Sequence, residues 1–327
     1  MTARRMVKGG LTTVATLVLV FVVADPAHTG PVVAGQPQAE PETKILARSP
    51  AAVEPLTALR KRYAAFKGGR KIWGHGVGRK ITFTFDDGPH YQTTPRLLDH
   101  LDAYGLKATF FINSRRANPF GLGSGKSYAV LMEMIRRGHL VANHTHSHPD
   151  LRTVSAAKQK SQIELTDRLI ERVVGVPGYL FRPPYGVMAP YAKRLLRKRG
   201  STVVMWNLGS EDDKHFNVSK VLNAVMSKVE RHGGGIILMH DTHYWTIEAV
   251  PPIVQAVRVE SCVNLARGEE PYEMVGLGYF RRARIGNTPP RSQVAKRRWL
   301  AKRAALVKLC NTQPRAPLPA FISGESS

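Results

Sequence analysis

Acidic residues are scarce in this chain. Against 48 Lys and Arg stand 24 Asp and Glu in 327 residues, a formal net charge of +24. The shortage is greatest from Arg281 to Arg315, with eleven Lys or Arg and no acid. Such a balance calls for an anionic partner or a solvated basic tail. No repeat of 20–50 residues is visible, which argues against a solenoid or propeller. The uncharged apolar run Leu11–Ala24 is too short for a confident membrane span. No cysteine lies near it, which argues against a lipid-linked N-terminus. The two cysteines, Cys262 and Cys310, lie far from every cluster of carboxylates and histidines, so neither reads as catalytic.

What is present begins with an export signal over 1–24. Arg4, Arg5 and Lys8 precede the apolar run, and Val22-Val23-Ala24 or Val32-Val33-Ala34 offers small residues for cleavage. An uncleaved N-terminal anchor is the other form this segment could take. The chain is therefore expected outside the cytoplasm: extracellular, periplasmic or wall-associated. In that setting the even pair Cys262 and Cys310 suggests one disulfide. Residues 25–70 read as a Pro- and Ala-rich linker. From Lys80 onward, short apolar runs end at Phe85, Ile112, Ala142, Phe181, Trp206 and Met239, with a seventh candidate at Met274–Leu277. Helical stretches separate them, most clearly Ser155–Val174, where Ile163, Ile170, Val173 and Val174 keep helical spacing. Strands alternating with helices imply a parallel sheet.

Two stretches carry chemistry. Ile81-Thr82-Phe83-Thr84-Phe85 reads as a half-buried strand that runs into Asp86-Asp87 and stops at Gly88-Pro89. Adjacent residues on an extended chain point oppositely, so the two acids are expected to divide their work. One would bind a metal while the other faces a water beside it. Paired acids at the end of a core strand need a cation nearby. The second stretch is Asn143-His144-Thr145-His146-Ser147-His148. His144 and His148 share a face if the chain turns helically there. Two imidazoles with one carboxylate make a three-ligand site for zinc or a similar ion, with room for water. A merely polar His-rich loop is the alternative reading of that stretch alone.

With Arg182-Pro183-Pro184-Tyr185-Gly186, the stretch Trp206–Asp212, and Leu238-Met239-His240, the chain has five motifs in one order. Over residues 75–280 it resembles the polysaccharide deacetylases, the NodB-homology domain or carbohydrate esterase family four. The resemblance implies a distorted (β/α) barrel of about seven strands in a single catalytic domain, with its site at the carboxyl ends of the strands. It implies that Asp87, His144 and His148 bind the metal, zinc by donor type, with cobalt or nickel also fitting. It makes Asp86 the general base, which must stay ionised, with the metal and Arg182 favouring that state. It also makes Arg182 the residue orienting that base, the Tyr185 N–H an oxyanion donor, and His240 the general acid. Leu238 would line the acetyl-methyl pocket. Trp206 would wall the pocket or stack on a sugar, unless it is core.

Motif four departs from the family pattern, which has an Asp followed by Trp. Here Asp212 precedes Asp213. Asp212 is the first choice as partner of His240, Asp213 the second and Glu211 the third, and the substrate groove should differ. The implied activity is deacetylation of an N-acetylated amino-sugar polymer: peptidoglycan, chitin or exopolysaccharide. O-acetyl ester cleavage and an inactive glycan-binding role are the alternatives. In the C-terminal extension, residues 281–327, the stretch Ser292–Leu309 could form a basic helix. Its partners would be an anionic wall polymer, an acidic polysaccharide or a membrane surface. The export signal disfavours nucleic acid, and a monomer is the default.

Overall fold

The computed structural model describes residues 56–68, 71–117, 125–282 and 293–312. The expected export signal lies outside them. The chain order is α1 (Leu56–Ala64), β1 (Lys71–Ile72), β2 (Lys80–Asp86), α2 (Thr94–Ala103), β3 (Thr109–Ile112), α3 (Lys126–Arg136), β4 (Leu140–Asn143) and α4 (Ala156–Val174). Then come β5 (Leu180–Phe181), a 3₁₀ turn (Pro184–Gly186), α5 (Pro190–Arg199), β6 (Thr202–Val204), β7 (Leu208–Gly209), α6 (Val218–His232) and β8 (Gly235–His240). The last are α7 (Tyr244–Ala266), β9 (Glu273–Met274), α8 (Gly278–Arg282) and α9 (Gln293–Thr312).

Every strand pairing is parallel, in the order β1-β6-β5-β4-β3-β2-β8-β7, with β9 also on β2. The sheet curls into a partial barrel, as the motifs imply. Among the described residues it has nine strands rather than about seven: β5 and β9 fall on the expected runs at Phe181 and Met274–Leu277, while β1 and β7 are two-residue pairings too short to leave a sequence signature. β2 is buried from Ile81 through Asp86, as a strand covered on both faces must be. Parallel register does the assembly. Asp86 lies opposite Phe111 of β3 and His240 of β8, and Asn143 of β4 opposite Ile112 and Phe181. All motif-bearing ends therefore reach one rim.

Local chemistry fixes the helices. Ser155 caps α4, its hydroxyl accepting from Lys158 N, and Gly175 ends it in the left-handed region. Asn217 and Gly233 do the same for α6. Three boundaries differ from the sequence reading. The strand placed up to Trp206 ends at Val204. The segment 144–148 is a loop rather than a helical turn, with Thr145 and His148 at φ 70° and 58°. The far end of the expected linker is α1, whose Leu59 and Tyr63 join Phe66 in the core. The Tyr63 hydroxyl accepts from Val141 N of β4 at 2.6 Å.

Cys262 of α7 and Cys310 of α9 are disulfide-bonded, 48 residues apart in sequence, as the even pair suggests. α9 covers most of the expected basic helix. Among the described residues no helix is long and apolar enough to cross a membrane.

Candidate active site

Among the described residues, five other than glycine adopt positive φ: Asp87, Thr145, His148, Tyr185 and Glu211. All five stand in the loops that follow strands at the motif-bearing rim. Left-handed backbone is costly for residues with a Cβ and persists where surrounding structure imposes it. At Asp87 it has a visible result. β2 ends at Asp86, and the φ of 72° at Asp87 turns its carboxylate back toward the first. The strand rule that adjacent side chains diverge therefore fails here. His144 Nε2 lies 3.6 Å from Asp86 Oδ2 and 3.6 Å from Asp87 Oδ1.

Asp87, His144 and His148 offer one ligand atom each within 4.8 Å of one another. His148 Nε2 is 3.5 Å from Asp87 Oδ1. That oxygen is buried with no hydrogen-bond partner, a costly state unless a cation takes the place of a donor. The Arg182 carbonyl sits 2.8 Å from His144 Nδ1 and can only accept. The proton is therefore on Nδ1, and Nε2 turns a lone pair to the cluster, as in metal-ligating histidines whose other ring N–H is held by a carbonyl. Burial holds His144 neutral, with its pKa lowered to about 3. The donor set and the orphaned oxygen fit a small divalent ion.

Side chains brace the histidine loop. Asn143 Oδ1 accepts from Thr145 N, and its amide donates to Asp167 Oδ1 and the Ile163 carbonyl of α4. Thr145 Oγ1 accepts from His148 N, and Gln162 of α4 accepts from Ser147 N.

Arg182, 0 % exposed, donates to Asp86 Oδ1 at 2.6 Å and Thr84 Oγ1 at 2.9 Å, and its guanidinium lies 4.0 Å above the Phe111 ring. Burial raises the Asp86 pKa, and the charges of Arg182 and His240 oppose that rise without cancelling it. Arg182 therefore acts in the expected direction on Asp86, toward the ionised form, while burial acts against it.

Across the site His240 Nδ1 donates to Asp212 Oδ1 at 2.8 Å, and His240 N donates to Oδ2 at 2.7 Å. Thr246 Oγ1 donates to Oδ2, and Trp245 Nε1 to the Asp212 carbonyl. The structure thereby places Asp212 against His240. Asp213 is exposed, and Glu211 pairs with Lys228. Burial works against a charged His240, yet the Asp212 hydrogen bond and charge outweigh it and raise the pKa to about 9. Asp212 itself is pushed up by burial and down by His240 and Thr246, with the downward pull the larger.

Tyr185 is 64 % exposed and stands edge-on to His148 at 4.7 Å. Leu238 lies two residues before His240 on β8, in register with Thr84 and Gly209, and both are half-buried on the same face. Trp206 lies past its strand, partly buried under Gly186 and 5.5 Å from the Arg182 guanidinium, so it packs as much as it lines. The sequence reading missed Thr84, Trp245, Thr246 and Asp241. Thr84 was accessible from the period of two, since it shares Asp86's side of β2. Asp241 is fully buried, its carboxyl pushed up to about 7 by burial. It accepts from Thr94 at 2.6 Å and presses on Gly88, where a Cβ would come within 2.0 Å of it. No local pattern announces those contacts.

The chain is similar to known proteins. The family model described as polysaccharide deacetylase matches residues 74–204. A chitin deacetylase of Pestalotiopsis sp is 31% identical over 216 residues, covering 64% of this chain and 70% of that one. A peptidoglycan-N-acetylglucosamine deacetylase of Bacillus cereus is 30% identical over 163 residues, 50% of this chain and 56% of the relative, so the chain spans about half that protein's length. The solved chitin deacetylase of Colletotrichum lindemuthianum superposes with a TM-score of 0.55 at 26% identity, over 68% of this chain and 94% of that one.

Proposed function

We propose, from the premise that this chain belongs to the polysaccharide deacetylase family, that it is a metal-dependent hydrolase removing N-acetyl groups from an amino-sugar polysaccharide. The observation that carries the reading is the Asp87–His144–His148 cluster with Asp86 against His144 and His240 next to Asp86 across the β2–β8 pairing. Its relatives' names make peptidoglycan and chitin the leading substrates.

In this reading Asp87, His144 and His148 hold the ion, zinc by donor type. Bound there, a divalent ion supplies Lewis acidity to water and to the acetyl carbonyl. Asp86 takes the proton of the attacking water. Arg182 and Thr84 fix the orientation of Asp86. The Tyr185 N–H, on backbone held at a φ of 58°, would donate to the oxyanion. His240 gives its Nε2 proton to the departing amine while Asp212 retains Nδ1–H. Acetate and the free amino sugar leave. Leu238 lines the methyl pocket with Trp206 beside it. Export by residues 1–24 and attachment to an anionic surface through the basic 281–327 segment complete the proposal.

Acetate release tests it. The protein lacking residues 1–24 should release acetate from peptidoglycan or chitin oligomers. Chelator should abolish release, zinc should restore it, and Asp86→Asn should stay inactive while binding metal. Release insensitive to chelator would overturn the reading. Release from acetylated xylan alone would convert it to an esterase.

A further inference from the structure

Asp213 occupies the position after Asp212 and is exposed, yet an indole still stands beside Asp212. It comes from another element. Trp245, in the first turn of α7, donates Nε1–H to the Asp212 carbonyl at 2.8 Å, while its neighbour Thr246 donates to the Asp212 carboxylate. These bonds tie the ring to the acid partner of His240. His243 stacks on that indole, with ring centroids 4.8 Å apart and planes 10° apart. On its other side His243 reaches the ring of His240 at 5.8 Å. Phe216, from the loop between β7 and α6, meets Trp245 edge-on at 5.0 Å and 85°. The four rings run outward from His240 as one wall: His240, His243, Trp245, Phe216.

The wall ends in an unexplained cost. Phe216 is 72 % exposed, the most exposed large apolar side chain among the described residues. A scattered exposed Phe needs no account, but this one is fixed against a hydrogen-bonded indole beside the site. Rigid aromatic rings give large contact area at small entropic cost, which is why binding sites use them. A pyranose presents an apolar face of axial C–H groups that covers such a ring. The wall starts where the leaving amine is protonated, so its outer end lies beyond the sugar that reacts.

We propose that Phe216, supported by Trp245 and His243, is a stacking platform for a second pyranose of the glycan, so that the site selects polymer over single sugars. The proposal rests on the deacetylase reading for its substrate, and binding separates the two. The full chain, its Phe216→Ala variant and its Phe216→Trp variant would be titrated calorimetrically with N-acetylchitopentaose and the monosaccharide N-acetylglucosamine. Acetate release would be followed on the same sugars. Phe216→Ala should weaken pentaose binding and raise KM about five-fold or more with kcat within about two-fold, and Phe216→Trp should restore both. The monosaccharide should discriminate among the three forms far less. Equal effects on both sugars, unchanged pentaose binding in Phe216→Ala, or no rescue by Trp would overturn the platform, as would no pentaose binding by the unaltered chain. Pentaose binding that needs Phe216 without acetate release would keep the platform and sink the deacetylase reading instead.

Discussion

His240 balances two opposed influences. Its burial favours the neutral ring, and the Asp212 carboxylate favours the imidazolium strongly enough to hold the pKa near 9. A general acid must be protonated, so activity should persist below that pKa and fall as pH rises through it. The stability term has the same sign. With the folded pKa above the unfolded one, it is fully present below about pH 6.5 and is lost as pH rises toward 9. Asp212→Asn leaves the burial and removes the charge. The alkaline limb of kcat should then move toward acid by more than about one unit, with kcat down at least ten-fold. A limb that stays in place in a pH–rate profile would assign that proton elsewhere. Residue chemistry was the most legible scale in the sequence. Asp87, His144 and His148 do converge, and Asp212 does meet His240, because carboxylates and imidazoles at strand ends have few roles there. Thr246 and Trp245 were not legible, since only the turn from β8 into α7 brings them to Asp212.

Elements were legible where burial repeats and illegible where it stops. β2, β3, β4 and β8 are apolar runs because both faces are covered, and α4 shows its Ser cap and its period. α1 had the signal too, with Leu56, Leu59 and Tyr63 at helical spacing, but its Lys and Arg and the Pro-rich stretch before it masked the pattern. Strand exits escaped because the left-handed backbone at Asp87 is set by what lies beneath the turn. Gly88 is the hinge of that exit. A Cβ there would sit 2.0 Å from Asp241 Oδ2, and the carboxylate cannot retreat because Thr94 of α2 donates to it. Gly88→Ala should therefore displace the turn and with it Asp87. Zinc affinity, read by competition with a chromophoric chelator, should fall about ten-fold or more, in the range known for outer-shell changes. Thermal unfolding should begin at lower temperature. Unchanged zinc affinity would show that the turn tolerates the methyl and that Asp241 does not position the ligand.

At the scale of the whole molecule, the catalytic sheet and the excess charge are separate devices. The sheet needs no net charge to assemble its rim. The basic excess concentrates past the last strand, in a segment whose helix α9 carries Lys296, Arg297, Arg298, Lys302, Arg303 and Lys308 and no acid. The disulfide from Cys310 to Cys262 holds that helix to the catalytic domain through α7. Leu300 and Val307, seven residues apart, are both exposed on it. Exposed apolar groups on a cationic helix suit an interface that is anionic and partly apolar, which a lipid headgroup layer is and a dissolved polyanion is not. The full chain should therefore sediment with vesicles containing phosphatidylglycerol and remain in solution with phosphatidylcholine alone. Binding should weaken as salt is raised from about 0.05 to 0.5 M, because charges on a surface helix are screened over about a Debye length. Leu300→Ser with Val307→Ser should reduce vesicle binding while leaving acetate release from soluble oligomers unchanged. If the double variant binds vesicles as tightly as the parent, and a soluble polyanion strips both equally, charge alone attaches the tail and the wall polymer replaces the membrane as its partner.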